Sequence, residues 1–189
     1  MSKAVSALSG AKFEGFAKVE ETGLRGMITV RGDLASTNMA AAVKAATGAG
    51  VPAQRKVTVG DKGKVAWMSP DELFVVVDYD TVLDTVATLT EALEGSHALV
   101  ANVSDARAVF EISGAGSRDA LAKLAPVDLS RDVFAADEIR RTRIAQVAAA
   151  FWSTGEDSFE IVCFRSVAQY VFDVLRLSAT NGGEVGHLG

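Results

Sequence analysis

Few residues in this chain have the type and spacing that catalysis or ligand binding would require. The histidines are His97 and His187 alone, and Cys163 is the single cysteine. Zinc or iron needs several convergent His, Cys or carboxylate ligands, and neither histidine has a partner in a ligand motif. His97 falls in a helix-to-strand loop and His187 near the carboxyl end, so neither reads as a general base. Cys163 is flanked by Val162 and Phe164 inside a strand pattern, which predicts a buried, unreactive thiol rather than a nucleophile. Serine catalysis needs a base and an orienting acid, and no serine stands in a G-x-S-x-G elbow.

The run Gly114, Ala115, Gly116, Ser117, Arg118, Asp119 follows a strand and opens a helix, as a phosphate-cradling turn would. Asp119 replaces the third glycine and puts a carboxylate in the first helical turn, where it repels an anion. A tight strand-to-helix turn is the better reading. The acidic pairs Glu20-Glu21, Asp71-Glu72, Asp137-Glu138 and Glu156-Asp157 sit at loops or turns, where solvated charge is ordinary. Arg140, Arg141 and Arg143 open a strand and suit either a partner's carboxylates or protection of a sheet edge. Trp67 and Trp152 end two strand patterns and are candidates for interface anchors or for core.

The bulk composition restricts the remaining function classes. Apolar residues make up 49% and charged residues 23% of the 189 residues, which excludes wholesale disorder. A formal charge of −5 gives no electrostatic reason to approach nucleic acid or an anionic membrane. One cysteine permits no intrachain disulfide, and the first residues lack the apolar run of ~7–15 that a secretory signal carries. A reducing cytoplasmic setting is expected, with no membrane span, since no apolar run approaches ~20 residues.

Strand and helix patterns then place these residues. Residues 26–30 read as a strand and 36–47 as an Ala-rich helix closed by Gly48 and Gly50. Residues 56–59 and 64–67 read as a hairpin around Gly60 to Gly63. A strand over 73–77 precedes a helix whose apolar face is Val82, Val86, Leu89 and Leu93. Residues 98–103 and 107–112 read as a second hairpin. Ser117 is expected to cap a short helix carrying Leu121 and Leu124 that Pro126 ends. A loop to Asp137, a long strand over 139–152, a turn at 155–157 and a strand over 159–164 follow. A capping box of Ser166 with Gln169 opens the final helix, lined by Val167, Val171, Val174 and Leu175. The class is therefore α+β, with two ferredoxin-like, split β-α-β halves, antiparallel sheets and helices on one face. A flexible arm over 1–20, one domain over 21–180 with halves of about 21–96 and 97–180, and a mobile tail over 181–189 complete the expected organisation.

The segment from Ala66 to Leu73, which holds Trp67, Met68, Ser69, Pro70, Asp71 and Glu72, resembles the gamma subunit family of heterotetrameric sarcosine oxidase. So do Val103 to Gly114, Arg118 to Lys123, Val127 to Leu129, Asp157 to Phe159 and Arg165 to Leu175. The resemblance lies in the order and spacing of these modest motifs from about Trp67 onward. It implies a fold like the folate-binding domain of the glycine-cleavage T protein. It also implies a place in an enzyme that demethylates sarcosine oxidatively to glycine, giving hydrogen peroxide and formaldehyde or 5,10-methylenetetrahydrofolate. In such a complex FAD, FMN, NAD, zinc and tetrahydrofolate belong to other subunits, so no catalytic, cofactor or metal residue is expected here. The implied partners are the alpha, beta and delta subunits, mainly alpha. The candidate interface is Trp67, Met68, Pro70, Asp71, Arg141, Arg143, Trp152 and Tyr170. The alternative is a stand-alone folate-binding or aminomethyltransferase-like domain, which one fold supports equally.

Overall fold

The computed structural model describes residues 3–188, so the first two residues of the expected arm and the last of the expected tail lie outside the described residues. In chain order the elements are β1 (Lys12–Glu14), β2 (Lys18–Glu21), β3 (Gly26–Arg31), α1 (Thr37–Thr47), β4 (Val57–Val59), β5 (Gly63–Ser69), β6 (Glu72–Val77) and α2 (Val82–Ala92). They continue with β7 (Leu99–Asn102), β8 (Arg107–Ser113), α3 (Ser117–Ala122), β9 (Ile139–Ile144), β10 (Val147–Gly155), β11 (Ser158–Phe164) and α4 (Ala168–Ser178). No helix among the described residues is long and apolar enough to cross a membrane. The chain divides into two compact units, one from Leu24 to Ser104 and one that joins the segment before Leu24 to the segment after Ser104.

In the unit from Leu24 to Ser104, β3, α1, β5, β6, α2 and β7 make a split β-α-β fold with antiparallel sheet order β5-β6-β3-β7, and β4 is added outside β5. Helix α1 starts where the Ser36 hydroxyl accepts the Met39 amide, and ends where Gly48 takes the left-handed conformation at φ 74° and donates to Lys44. Met39 and Val43 of α1 and Leu89 of α2 pack on Ile28, Val30, Leu73 and Val75 of the sheet. Strand β6 is buried along its whole length, as its unbroken apolar run after Glu72 requires.

The other unit has the same plan with one exchange. Strands β8, β10 and β11 and helices α3 and α4 follow the same order, giving β10-β11-β8, with β9 outside β10. The place of the fourth strand, beside β8, is filled by β2 from the amino end of the chain, with β1 outside it. The core gathers Phe110, Ile112, Phe151, Phe159 and Ile161 from the sheet with Leu121, Phe134, Val171 and Leu175. The rings of Phe134 and Phe151 stack at 5.5 Å.

Several expectations are corrected by this topology. The amino-terminal stretch is not a loose arm, because β1 and β2 are sheet members and the buried Glu21 carboxylate accepts the Ser6 hydroxyl and the amides of Leu8 and Gly10. The single domain with halves at 21–96 and 97–180 gives way to two units, each with its own apolar cluster. Residues 98–112 do not form a hairpin: β7 pairs with β3, whereas β8 pairs with β2 and β11. The connection is a 3-10 turn over Ser104–Ala106, and none of its residues has the positive φ of a tight hairpin. The long strand over 139–152 is two strands turned at Ala145, which adopts φ 49° although it is not glycine, Asn or Asp. Ser117 lies inside α3, which Gly116 precedes, and its buried hydroxyl has no hydrogen-bond partner. The expected capping box at Ser166 is absent, since a 3-10 turn over Arg165–Val167 leads into α4 and Gln169 instead donates to Asp173. The tail is tethered: Asp119 accepts the amides of Gly186 and Leu188.

The sixteen residues between α3 and β9 contain no helix or strand of their own, apart from the isolated bridge at Glu138. They are organised by Arg118, 2% exposed. Its Nη1 donates to the carbonyls of Leu129 (2.7 Å) and Phe134 (3.1 Å), and its Nε and Nη2 donate to that of Glu156 (3.1 and 2.9 Å). Burial pulls the guanidinium below its ordinary pKa, and neighbouring Arg131 adds to that, while Asp157 and Glu156 oppose it. Arg118→Met is expected to lower stability by roughly 2–4 kcal/mol, since bonds to a charged donor are worth more than neutral ones. Urea titration measures it. A loss below about 1 kcal/mol would show that the loop holds itself.

Candidate functional site

The residues expected at an interface divide between the two units. Trp67 and Met68 are half-buried on β5, and Pro70 and Asp71 are exposed in the turn to β6. The turn is tied down: Ser69 Oγ donates to Asp71 Oδ1 at 2.5 Å, and the Asp71 carbonyl accepts the Gly32 amide. Arg31 holds Glu72 at 2.9 Å, its cross-strand partner, and reaches Asp71 at 3.8 Å.

Around this turn Arg31, Gly32, Asp33, Asp71, His97 and Leu99 line a recess of about 480 Å³. Here the structure gathers titratable groups that sequence reasoning scattered, because Arg31 and Asp71 are brought together by strand register and not by local spacing. The recess does not form a metal centre, as no group of three His, Cys, Asp or Glu among the described residues could hold an ion. A second, larger recess of about 750 Å³ lies between the end of α2 and β7, lined by Ala87, Leu93, Leu99 and Val100 with Thr90 and Ser96.

In the other unit, Arg141 and Arg143 are exposed on β9. Arg140 is engaged within the chain, donating to Glu138 at 2.7 Å and lying 5.1 Å over the Phe134 ring. Tyr170 is 39% exposed on α4, and Leu177, two turns along, is 75% exposed. Trp152 is the residue that does not fit: it is 1% exposed, and its Nε1 donates to Glu160 Oε2 at 2.8 Å across the β10 to β11 pair. It is a packing residue with a satisfied donor, not a surface anchor of this chain.

The glycine-rich turn before α3 cannot cradle an anion. A side-chain carbon at Gly116 would fall 2.2 Å from the Phe16 ring, so the approach to the backbone is already filled. Asp119, the carboxylate that argued against a phosphate, binds the tail amides instead. Arg118 was the functional side chain most hidden from the sequence, since its carbonyl partners are 11 to 38 residues away and no spacing rule links them.

Cys163 is buried, as its strand setting predicted, and burial pushes its thiol up to about 12, against the opposing pull of Arg107. The folded pKa lies above the unfolded one, so the neutral thiol favours the folded state. That stability is fully present below the unfolded pKa of ~8.5 and falls by about 1.4 kcal/mol per pH unit between there and about 12. Native chain at pH 8 is therefore expected to resist a thiol reagent such as DTNB, and to react fully once unfolded in guanidinium. Rapid labelling of the native chain would contradict a buried, protonated thiol.

Against this geometry the comparisons with known proteins are specific. The model of the sarcosine oxidase, gamma subunit family matches residues 31–181. Curated relatives named sarcosine oxidase subunit gamma, from Corynebacterium sp. (strain U-96) and from Arthrobacter sp., are each 32% identical over 124 residues, 65% of this chain. The match spans 60% of the length of those relatives. A chain of the heterotetrameric sarcosine oxidase from Corynebacterium sp. U-96, solved with pyrrole 2-carboxylate, superposes with a TM-score of 0.80 at 27% identity, covering 89% of this chain and 87% of that one. The glycine cleavage system aminomethyltransferase T from Bartonella henselae superposes with a TM-score of 0.58 over 80% of this chain and 43% of its own, and at 14% identity that likeness concerns the fold alone. The α+β plan with antiparallel sheets is therefore the one expected from the sequence, and the chain belongs to the sarcosine oxidase gamma subunit family.

Proposed function

We propose that this chain is a structural and assembly subunit of a heterotetrameric sarcosine oxidase, in which the oxidative demethylation of sarcosine to glycine takes place on other subunits. The observation that carries the reading is the superposition, at a TM-score of 0.80, on a chain of such a heterotetramer. The internal chemistry agrees with it. Arg118 and Arg140 are occupied in holding the fold, Cys163 is a buried thiol, and the acidic Asp119 and Glu21 are spent on the chain's own ends. On this reading FAD, FMN, NAD, zinc and tetrahydrofolate are bound elsewhere in the complex. The partners are the alpha, beta and delta subunits, with alpha the main contact, and the complex works in the cytoplasm.

Co-expression with the other three subunits followed by size exclusion tests the proposal. The chain is expected to elute with the flavoprotein, and leaving it out is expected to reduce the yield of intact complex. Elution of the chain by itself, with active flavoprotein formed in its absence, would refute the assembly role. A separate titration addresses the stand-alone alternative. Tetrahydrofolate added to the isolated chain is expected to give no saturable change in intrinsic fluorescence at micromolar concentration, whereas a saturable signal would favour a folate-binding domain.

A further inference from the structure

The edges of the two sheets are unequal. The terminal strands β1, β4 and β7 have three, three and four residues, while β9 has six. Short edges discourage pairing with another chain, and a six-residue edge is long enough to offer a full ladder. The register settles which residues face outward. Ser153 donates its amide to the Glu138 carbonyl, and Ile144 faces Val147 across the turn, so the even-numbered positions of β9 bond to β10. Arg141 and Arg143 then direct their backbone N–H and C=O away from β10, toward the open side of the strand, while the outward carbonyl of Ile139 accepts Arg140 Nη1 at 2.8 Å.

The side chains at this edge are arginines in a chain of net charge −5. Both Arg141 and Arg143 are exposed, and no ion pair to Arg143 exists among the described residues. Edge protection is commonly achieved with lysine or proline. Arginine instead presents a planar fork that matches carboxylate geometry and holds it through two parallel bonds. A ladder of outward backbone groups with a forked cation at Arg143 suits one kind of occupant, an extended strand carrying a carboxylate opposite that residue.

We propose that the β9 edge is a docking surface for an acidic, extended segment of a partner subunit, which adds to the six-stranded sheet and sets a carboxylate against Arg143. The inference rests on the assembly reading above and assigns a surface and a partner chemistry to it.

The test uses the co-expressed complex. Hydrogen exchange of the segment 139–147 is compared in the free chain and in the complex, with at least tenfold slower exchange expected on assembly. Three variants separate the parts of the contact. Arg143→Glu reverses the charge, Arg143→Ala removes it, and Arg143→Pro also removes the outward amide, which an edge strand tolerates. Arg143→Glu and Arg143→Pro are each expected to reduce retention of the chain in the complex about tenfold or more, Arg143→Ala by less, with urea midpoints near that of the unaltered chain. Unaltered exchange at 139–147 in an intact complex would overturn the docking surface while leaving the assembly role standing. So would variants that are retained normally but self-associate when free, which is the behaviour of a mere edge guard. If the unaltered chain fails to enter the complex at all, the assembly reading itself falls and this inference with it.

Discussion

A guanidinium taken out of water must find acceptors for its donors, and in one unit of this protein that requirement organises the local architecture. Arg118 projects from the six-residue helix α3, too short to be stable by itself, and gathers the carbonyls of Leu129, Phe134 and Glu156. The connection to β9 is thereby given a fixed path without secondary structure of its own. The same path carries Phe134 into the core against Phe151 and Phe159, so the polar anchor and the apolar packing specify one arrangement. Burial of the charge is unfavourable in isolation. The ladder of neutral acceptors is what makes it tolerable, and each bond fixes a loop residue far away in sequence.

A second constraint is topological. The chain runs through a split β-α-β plan twice, but the second time the fourth strand position, beside β8, is taken by a strand that precedes both plans in sequence. Strand β2, from the other end of the chain, fills it, with Val19 opposite Ile112 and fully buried. A sheet whose members come from opposite ends of the sequence has many long-range contacts, and such pairing is entropically costly to form. Buried Glu21 and buried Asp119 answer this by fastening the amino and carboxyl segments onto the same unit.

What could be read in the sequence was whatever depends on neighbours. Helix α1 was legible because Ser36, the alanine run and Gly48 all lie within one segment, and the hairpin of β4 and β5 because Gly60 to Gly63 mark its turn. Strand β2 was not, since Lys18, Val19, Glu20 and Glu21 look like a charged surface until the partner some ninety residues away is known. The turn at Ala145 carries none of the residues that favour a left-handed backbone, so it left no local signal. Trp152 shows the same limit for the site. A tryptophan at a strand end has one appearance in sequence whether it faces a partner or, as here, a buried glutamate opposite it.

The treatment of the sheet edges connects fold to function. On the proposed assembly reading, the chain must avoid pairing with copies of itself while keeping some backbone available to a partner. Shortening an edge removes both possibilities, and β1, β4 and β7 are short. Charging a long edge removes only the first, because two arginine-bearing strands repel one another but attract an acidic one. Strand β9 is the long edge, it follows the loop that Arg118 fixes, and its pairing with β10 holds its arginines in register. On the proposed docking, specificity for a partner rests on Arg143, while Arg118 is satisfied inside the fold.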